Sequence, residues 1–385
     1  MTNPQQSILN LEKNLHKNLL VNLSFVFSQP TGIATYATNL VPYLKLLNPT
    51  LLVAPETANF TPNIDNFSHY SIPSNLTPAH GSRGHLRRLI WTQLQVPSIY
   101  RKLKSSLFFS PVPEAPLYSQ CRYVTMMHDL IPLRFPNPFS PLTPYYRYYI
   151  PQVLNQAEHI ICNSQATATD IVDFYAIPAH KITPIPLGYD SQHFRPIDSP
   201  NEQFHQSIRP FFLYIGRHDP YKNIHRVIAA FATIPHYHNY QLWLAGSRDK
   251  RYTPKLQAQA QELGIDKQVK FLDYVDYDRL PILLSQAQAL VFPSLWEGFG
   301  IPILEAMACG TPVITSNLSS LPEVVGDAGI LVNPYQVEDI AQAMHQIITD
   351  HDLFYQLRQN SLQRAQQFSW QKTGQATVEI LSEYL

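Results

Sequence analysis

Short apolar runs alternate with helical patterns along this chain, and they do so in two successive series. Runs in the first series lie at 19–27, 51–54, 107–109, 122–127, 159–162 and 182–186. Those in the second series lie at 211–216, 240–245, 269–271, 289–292, 312–314 and 329–332. Strands that alternate with helices predict parallel sheets with helices on both faces. We therefore expect an α/β protein built from two Rossmann-like, doubly wound domains.

A polar stretch with two prolines separates the two series. It runs from Gly188 to Arg209 and contains Pro196 and Pro200, which is typical of an interdomain linker. The chain of 385 residues is long enough for two domains of ordinary size. We predict a first domain at 1–190 and a second at 207–369.

The most informative motif follows the apolar run at 289–292. The sequence Glu-Gly-Phe-Gly-Ile-Pro-Ile-Leu-Glu places Glu297 on a loop and Glu305 on the opening turns of a helix. Gly300 lets the backbone turn sharply and approach a ligand, and Pro302 suits the first helical turn. The free N–H groups at such a helix start form a natural seat for a phosphate-bearing ligand.

This segment resembles the E-x7-E signature of the retaining glycosyltransferases of family 4, and the resemblance extends over nearly the whole chain. It implies the GT-B fold, in which two Rossmann-like domains face an interdomain cleft and the last helix, 370–385, crosses back onto the first domain. It also implies that Glu297 contacts the donor sugar and that Glu305 binds the nucleotide ribose. The helix that starts after Phe299 and Gly300 would hold the donor diphosphate.

Two cations follow the first strand of the second domain. Arg217 and Lys222 flank a turn at the carboxyl end of that strand, where they can neutralise a diphosphate leaving group. A solvated turn with two ordinary charges explains the pair equally well when it is taken alone. Together with the Glu297 segment the pair resembles the phosphate-binding Arg and Lys of the family, and we favour that interpretation.

The first domain offers three candidates. Gly32 follows the first strand, where it would let backbone N–H groups approach the donor, although a lone glycine is equally typical of a simple helix start. His128 and Asp129 end the strand at 122–127, and we expect His128 to bond the transferred sugar. Asp129 would bond the acceptor or orient the loop.

The pattern Thr-Gly-Ile-x-x-Tyr at 31–36 resembles a mannosyltransferase-like branch of the family.

Composition excludes several classes of protein. Lys plus Arg equals Asp plus Glu, 28 each, which argues against a nucleic-acid binder. Three scattered cysteines indicate neither a disulfide framework nor a zinc site. With a polar N-terminus and no apolar run of membrane-spanning length, we expect a cytoplasmic location. Asp276 and Asp278 form a D-x-D pattern that we interpret as a helix cap, so we expect no metal requirement.

A basic stretch suggests a further contact. Between Asn66 and Pro113 there is no Asp or Glu, and Arg83, Arg87, Arg88, Arg101, Lys102 and Lys104 lie there beside apolar residues at helical spacing. A basic amphipathic helix that touches anionic lipid is possible on this pattern, so 83–104 is a candidate for peripheral contact with the inner face of a membrane. We favour instead an ordinary amphipathic helix that packs on the sheet with a solvated basic face.

The hypothesis from the sequence is a retaining hexosyltransferase that uses a nucleotide-sugar donor. Similarity to mannosyltransferase-like enzymes favours GDP-mannose as donor and a glycan or lipid-linked acceptor. A dinucleotide oxidoreductase would need G-x-G-x-x-G after a strand, and the first loop has only Gly32. The alternatives are a nucleotide-sugar epimerase of the same fold, which needs no external acceptor, and a non-catalytic GT-B binding protein, which should have lost the charged residues.

Overall fold

The computed structural model describes residues 18–27, 32–55, 57, 64–137, 139–197 and 209–385. The chain divides into two compact units, one of 1–187 with 370–385 and one of 188–369. The N-terminal residues 1–17, the loop before Gly32 (28–31) and half of the proposed linker (198–208) lie outside the described residues.

The described part of unit 1 contains a sheet of seven parallel strands in the order β3-β2-β1-β4-β5-β6-β7. Its strands are β1 Leu19–Asn22, β2 Thr50–Val53, β3 Ser68–Ser71, β4 Leu107–Ser110, β5 Tyr123–Met127, β6 His159–Cys162 and β7 Ile182–Pro184. The helices are α1 Gly32–Leu44, α2 Gly81–Leu94, α3 Val96–Lys102, α4 Ile131–Arg134, α5 Leu142–Pro144, α6 Ile150–Gln156 and α7 Gln165–Tyr175, with a π-helical turn at Tyr145–Tyr149.

The described part of unit 2 contains six parallel strands in the order β10-β9-β8-β11-β12-β13. They are β8 Phe211–Ile215, β9 Gln241–Ala245, β10 Val269–Leu272, β11 Ala289–Phe292, β12 Val313–Ser316 and β13 Ile330–Val332. The helices are α8 Ile224–Thr233, α9 Thr253–Glu262, α10 Leu280–Gln286, α11 Ile301–Ala308, α12 Leu321–Val325, α13 Val337–Thr349 and α14 His351–Ala365. The last helix, α15 Trp370–Tyr384, is part of unit 1.

The apolar runs form strands that are buried because helices cover both faces of each sheet. Every residue of β1, β4, β5, β6, β11 and β12 is buried, which explains why these strands are almost continuously apolar in sequence. The two doubly wound sheets confirm the predicted fold class. The sequence missed β3, whose residues Ser-His-Tyr-Ser are mostly exposed at the edge of the sheet and carry no apolar pattern.

Each sheet has a switch point, where strand order reverses between neighbouring strands. In unit 1 it lies between β1 and β4, and in unit 2 between β8 and β11. The connections on either side of a switch point leave in opposite directions, which opens a crevice at the carboxyl ends of the strands where ligands of such sheets bind. The loops after β8 and β11 carry Arg217, Lys222 and Glu297, and α1 starts at Gly32 beyond β1.

One helix differs from the sequence interpretation. The apolar side chains of α2 were expected to pack on the sheet, but Leu86, Ile90 and Leu94 are more than half exposed. The buried positions of α2 are instead Gly84, Arg88 and Thr92. The favoured interpretation of this segment is therefore wrong, and the physical reason is that a buried ion pair of Arg88 with Glu114, at 2.7 Å, turns the polar face inward.

Candidate functional site

The loops after β8 and β11 are joined by several contacts at the switch point of unit 2. The backbone N–H of Leu295 donates to the carbonyl oxygen of Tyr221 at 2.8 Å. Asn223, fully buried and left-handed at φ 65°, donates from its side-chain amide to the carbonyl oxygens of Pro293 and Pro334. These bonds fix the two loops against each other. Asn223 was not singled out from the sequence, because its partners lie on other strands.

Lys222 and Glu297 form the central ion pair of the site. The Nζ of Lys222 donates to Oε1 of Glu297 at 2.6 Å, and the side chains are only 13% and 10% exposed. The ammonium also lies 5.4 Å from the centre of the Phe292 ring. Little water can screen charges that are this buried, so removing either partner would leave a costly isolated charge. The structure thus brings together two residues that the sequence placed in separate motifs.

Two serines hold the backbone of Glu297, and sequence reasoning missed both. The N–H of Glu297 donates to the Ser319 hydroxyl at 3.1 Å, and that hydroxyl donates back to the Glu297 carbonyl oxygen at 2.5 Å. The Ser320 hydroxyl, fully buried, lies 3.0 Å from the carbonyl oxygens of both Glu297 and Phe299. Both serines follow β12, the strand beside β11. Only that position in the sequence could have identified them as candidate site residues.

Phe299 and Gly300 lead into α11. The Phe299 side chain is buried and packs edge-on against Phe368 at 6.0 Å between ring centres, so its backbone is the part that faces the helix start. Gly300 has φ 101°, and a Cβ there would meet Leu321 at 2.9 Å. Because a side chain is both strained and obstructed at this position, the glycine expected from the sequence is required by the backbone.

Glu305 lies in the second turn of α11 and is partly exposed. Burial raises the pKa of its carboxyl group to about 8. Its charge in turn contributes to the raised pKa values of Tyr277 and Cys309, after burial as the larger cause. A carboxyl group whose pKa lies near 8 is protonated near pH 7, and a ligand that donates hydrogen bonds to it would stabilise its ionised form.

Arg217 is arranged differently from Lys222. Its side chain is 72% exposed and pairs with Asp219 at 3.0 Å. Its carbonyl oxygen accepts from the hydroxyl of Tyr214, a fully buried residue, at 3.0 Å, which fixes the turn after β8. An exposed guanidinium on a fixed turn keeps its donors available for an anion.

In unit 1, His128 donates from Nε2 to the carbonyl oxygen of Pro111 at 2.8 Å, because a carbonyl can only accept. Burial lowers the pKa of His128 to about 4, so the ring is neutral and Nδ1 carries a lone pair. The ring lies edge-on to Tyr36 at 5.2 Å. Asp129 accepts at 3.0 Å from the N–H of Ile131, the first residue of α4. Gly32 opens α1, and a Cβ there would meet no atom within 4 Å.

The D-x-D pattern occupies a short 3-10 turn, Tyr277–Arg279. Asp276 stands at its N-cap position but makes no side-chain capping bond, so the predicted side-chain cap is wrong. The turn is closed instead by a backbone bond from Arg279 to Asp276. Within the described ranges, no group of three or more His, Cys, Asp or Glu side chains could hold a metal ion. None of the described helices is long and apolar enough to cross a membrane.

Comparison with known proteins gives consistent matches. Residues 30–193 match the model "Glycosyltransferase Family 4" and residues 198–367 match "Glycosyl transferases group 1". The chain is 32% identical over 268 residues to O-antigen chain mannosyltransferase B of Escherichia coli, covering 67% of this chain and 69% of that protein. It is 30% identical over 274 residues to the serotype-specific mannosyltransferase WbdA of Escherichia coli, but spans only 33% of that protein against 68% of this chain.

The fold is also found among solved structures. The crystal structure of Anabaena Alr3699/HepE in complex with UDP and glucose aligns with a TM-score of 0.74 at 22% identity, covering 96% of this chain and all of that one. At this identity the likeness establishes the shared fold. The two parallel α/β units seen here are those of that fold.

Proposed function

The chain belongs to the group 1 and family 4 glycosyltransferases, in their mannosyltransferase-like branch, and from this premise we propose that it moves a mannose from GDP-mannose to a glycan or lipid-linked acceptor with retention of configuration. The observation that carries the proposal is the Lys222–Glu297 pair at the switch point of unit 2. A buried cation and carboxylate in contact at that crevice suit a ligand that is anionic at one end and rich in hydroxyls at the other.

The donor would be held by unit 2. Lys222 and the exposed Arg217 would bind the diphosphate together with the N–H groups at the start of α11, where Phe299 and Gly300 contribute backbone. Glu305 would accept from the ribose hydroxyls. A diphosphate that shares the Lys222 ammonium would free Glu297 to accept from hydroxyls of the sugar.

Unit 1 would face the acceptor and contribute to the sugar site. The neutral ring of His128 would accept a hydrogen bond from a sugar hydroxyl at Nδ1, since Nε2 donates to the carbonyl oxygen of Pro111. Gly32 would leave space for the donor at the start of α1. Asp129 accepts from the N–H of Ile131 and is therefore assigned to orienting the loop after β5 rather than to the acceptor.

The mechanism that fits these groups is front-face transfer. The bond between the anomeric carbon and the phosphate oxygen breaks, the acceptor oxygen bonds to the same face, and the departing phosphate takes the acceptor's proton. A double displacement would need two carboxyl groups close to one glycosidic bond, and Glu305 is assigned to the ribose. Lys222, Arg217 and the helix start would stabilise the charge that develops on the leaving diphosphate.

We place the enzyme in the cytoplasm, and its three cysteines are buried and form no disulfide with one another, as suits a reducing compartment. One relative named above is by its name an O-antigen chain mannosyltransferase, which favours a growing polysaccharide as acceptor. GDP as the carrier follows from the resemblance of the sequence to mannosyltransferase-like enzymes.

The test is to incubate the full chain with GDP-, UDP- and ADP-sugars and to measure release of nucleoside diphosphate. We expect release from GDP-mannose that rises when a mannan-type acceptor is added, and a product whose new linkage is α. Release from another donor would overturn the choice of mannose. A sugar altered without transfer to any acceptor would favour the epimerase, and donor binding without turnover would favour the non-catalytic binding protein.

A further inference from the structure

Helix α2 turns apolar side chains outward. Leu86, Ile90 and Leu94 are 58%, 51% and 67% exposed. Their spacing of four residues aligns them along one side of the helix over a length of about 12 Å. Arg83 and Arg87 are also exposed, and each lies three residues before a member of the stripe, so they share this side. We call these five residues the α2 outer face.

The orientation of α2 is fixed by its opposite side. Arg88 makes two hydrogen bonds of 2.7 Å to Glu114, and the two residues are 4% and 2% exposed. The side-chain amide of Gln93 donates to the carbonyl oxygen of Ala115 at 2.9 Å. At Gly84 the helix approaches so closely that a Cβ would lie 2.3 Å from the carbonyl oxygen of Thr77. The helix therefore cannot rotate to bury its outer face without breaking a buried ion pair.

The surrounding sequence is strongly basic although the whole chain is neutral. Residues 66–157 contain nine Lys and Arg but only two Asp and Glu, and the rest of the chain contains 19 and 26. Of the two acids, Glu114 is buried against Arg88, and Asp129 accepts from the N–H of Ile131. Two further cations of the stretch are paired with acids that follow it, Arg122 with Glu158 and Arg134 with Asp170. Among the described residues Arg83 and Arg87 form no ion pair, so the charge that the α2 outer face itself presents is positive.

We propose that the α2 outer face binds the surface of an anionic lipid bilayer, with α2 lying in the plane of the interface. Leucine and isoleucine side chains would enter the boundary between headgroups and acyl chains, and Arg83 and Arg87 would bind lipid phosphates. A second copy of this chain is a poor occupant, because it would bring the same positive charges to the contact. This inference does not depend on which sugar the enzyme transfers.

The test is co-sedimentation of the full chain with vesicles of phosphatidylcholine alone and of phosphatidylcholine mixed with phosphatidylglycerol. We expect binding to the mixed vesicles, little binding to phosphatidylcholine, and weakening when salt is raised from about 0.1 M to about 0.5 M, where screening shortens the reach of the charges. Equal binding to both vesicle types, or binding to neither, would overturn the proposal.

Two sets of variants measure separately how much the charged and the apolar side chains of the α2 outer face contribute to vesicle binding. Arg83→Gln with Arg87→Gln should lower the partition coefficient on mixed vesicles roughly 25-fold, at about fivefold for each charge. Leu86→Gln, Ile90→Gln and Leu94→Gln together should lower it at least about tenfold. All five residues are exposed, so the variants should keep the melting temperature of the parent protein.

The matched controls change exposed residues elsewhere. Lys255→Gln with Lys267→Gln removes two exposed charges from unit 2, and Leu46→Gln removes a leucine that is 79% exposed on another part of unit 1. Both controls should bind vesicles like the parent. If they lose binding equally, the effect is one of net charge or general apolarity and the assignment fails. It also fails if the leucine and isoleucine variants instead convert a dimer into a monomer in light scattering, because the face would then be a protein interface.

Discussion

At the scale of the residue, Glu305 gives a test through pH. Burial raises the pKa of its carboxyl group from the ordinary value of 4.5 to about 8 in the folded protein. Between these two pH values the group is protonated when folded and ionised when unfolded, so the folded state loses stability as the pH rises. Each unit of pH across that window costs about 1.4 kcal/mol.

Replacing Glu305 by Gln should remove this titration. Measured without nucleotide, the variant should gain in melting temperature relative to the parent as the pH is raised from 5 to 8. Glu262→Gln, at an exposed position at the end of α9, is the control and should show no such trend. Parallel curves for Glu305→Gln and the parent would contradict a buried carboxyl group.

Substitution of Gly32 tests whether the fold or the ligand requires a glycine at this position. A Cβ at this position meets no atom within 4 Å, and φ lies outside the left-handed region. Gly32→Ala should therefore keep the melting temperature or raise it slightly, because alanine favours a helix by about 1 kcal/mol over glycine. Turnover should fall by about tenfold or more if the donor binds against the backbone at Gly32. Unchanged turnover would remove Gly32 from the site.

The sequence predicted where single site residues lie, on loops and helix starts, better than it predicted their contacts. Glu297, Lys222 and Gly300 were marked by strand ends, glycine and proline signals. The direct pairing of Lys222 with Glu297 was not anticipated, because 75 residues separate them and β8 must first lie beside β11. The role of Phe299 was also open, since its burial against Phe368 depends on the end of α14.

At the scale of the element, the loop before α11 depends on Ser320. Ser320→Ala removes a buried hydroxyl that lies within hydrogen-bond distance of the carbonyl oxygens of Glu297 and Phe299. We expect a loss of about 1–3 kcal/mol in the free energy of unfolding and, in addition, a several-fold loss of kcat/KM, because Glu297 would no longer be held in place.

Ser361 supplies a matched control within the same unit. Its hydroxyl is also fully buried and lies 3.3 Å from two carbonyl oxygens, those of Thr311 and Ala328. Ser361→Ala should lower stability by a similar amount and leave kcat/KM unchanged. If both variants lose the same activity, Ser320 contributes only to stability and has no part in positioning Glu297.

Elements with a clear apolar period were predictable, and those governed by polar contacts were not. All six strands of unit 2 were anticipated to within one or two residues, because each contains an apolar run in the sequence. The edge strand β3, Ser-His-Tyr-Ser, was missed because it has no such run. The orientation of α2 was inverted in the sequence interpretation, since periodicity cannot reveal that Arg88 is paired inside the unit.

At the scale of the whole molecule, the last helix completes unit 1. Thr373 donates to the carbonyl oxygen of Pro186 at 2.7 Å, and the Tyr384 hydroxyl lies 3.0 Å from Nδ1 of His159. Gly374 packs against Tyr43 so closely that a Cβ would lie 2.3 Å from the ring. Unit 1 therefore depends on a segment that follows unit 2 in the chain.

Removing residues 370–385 should lower hydrogen-exchange protection in β6 and β7 and leave β8 and β11 protected. Thr373→Val, which removes one hydrogen bond, should produce a smaller change in the same strands, of about 1 kcal/mol. An equal loss of protection in both units would contradict the assignment of α15 to unit 1.

The central claim is that the Lys222–Glu297 pair at the switch point of unit 2 serves sugar transfer rather than stability alone. The most direct measurement is turnover of the preferred nucleotide sugar by the parent, by Glu297→Gln and by the double variant Lys222→Met with Glu297→Gln. The single variant leaves Lys222 without its partner and should lose about 3 kcal/mol of stability, which the double variant should largely regain. Turnover should fall at least about 100-fold in both, since stability is not what limits it. Full turnover in Glu297→Gln, or recovery of turnover together with stability in the double variant, would contradict the claim.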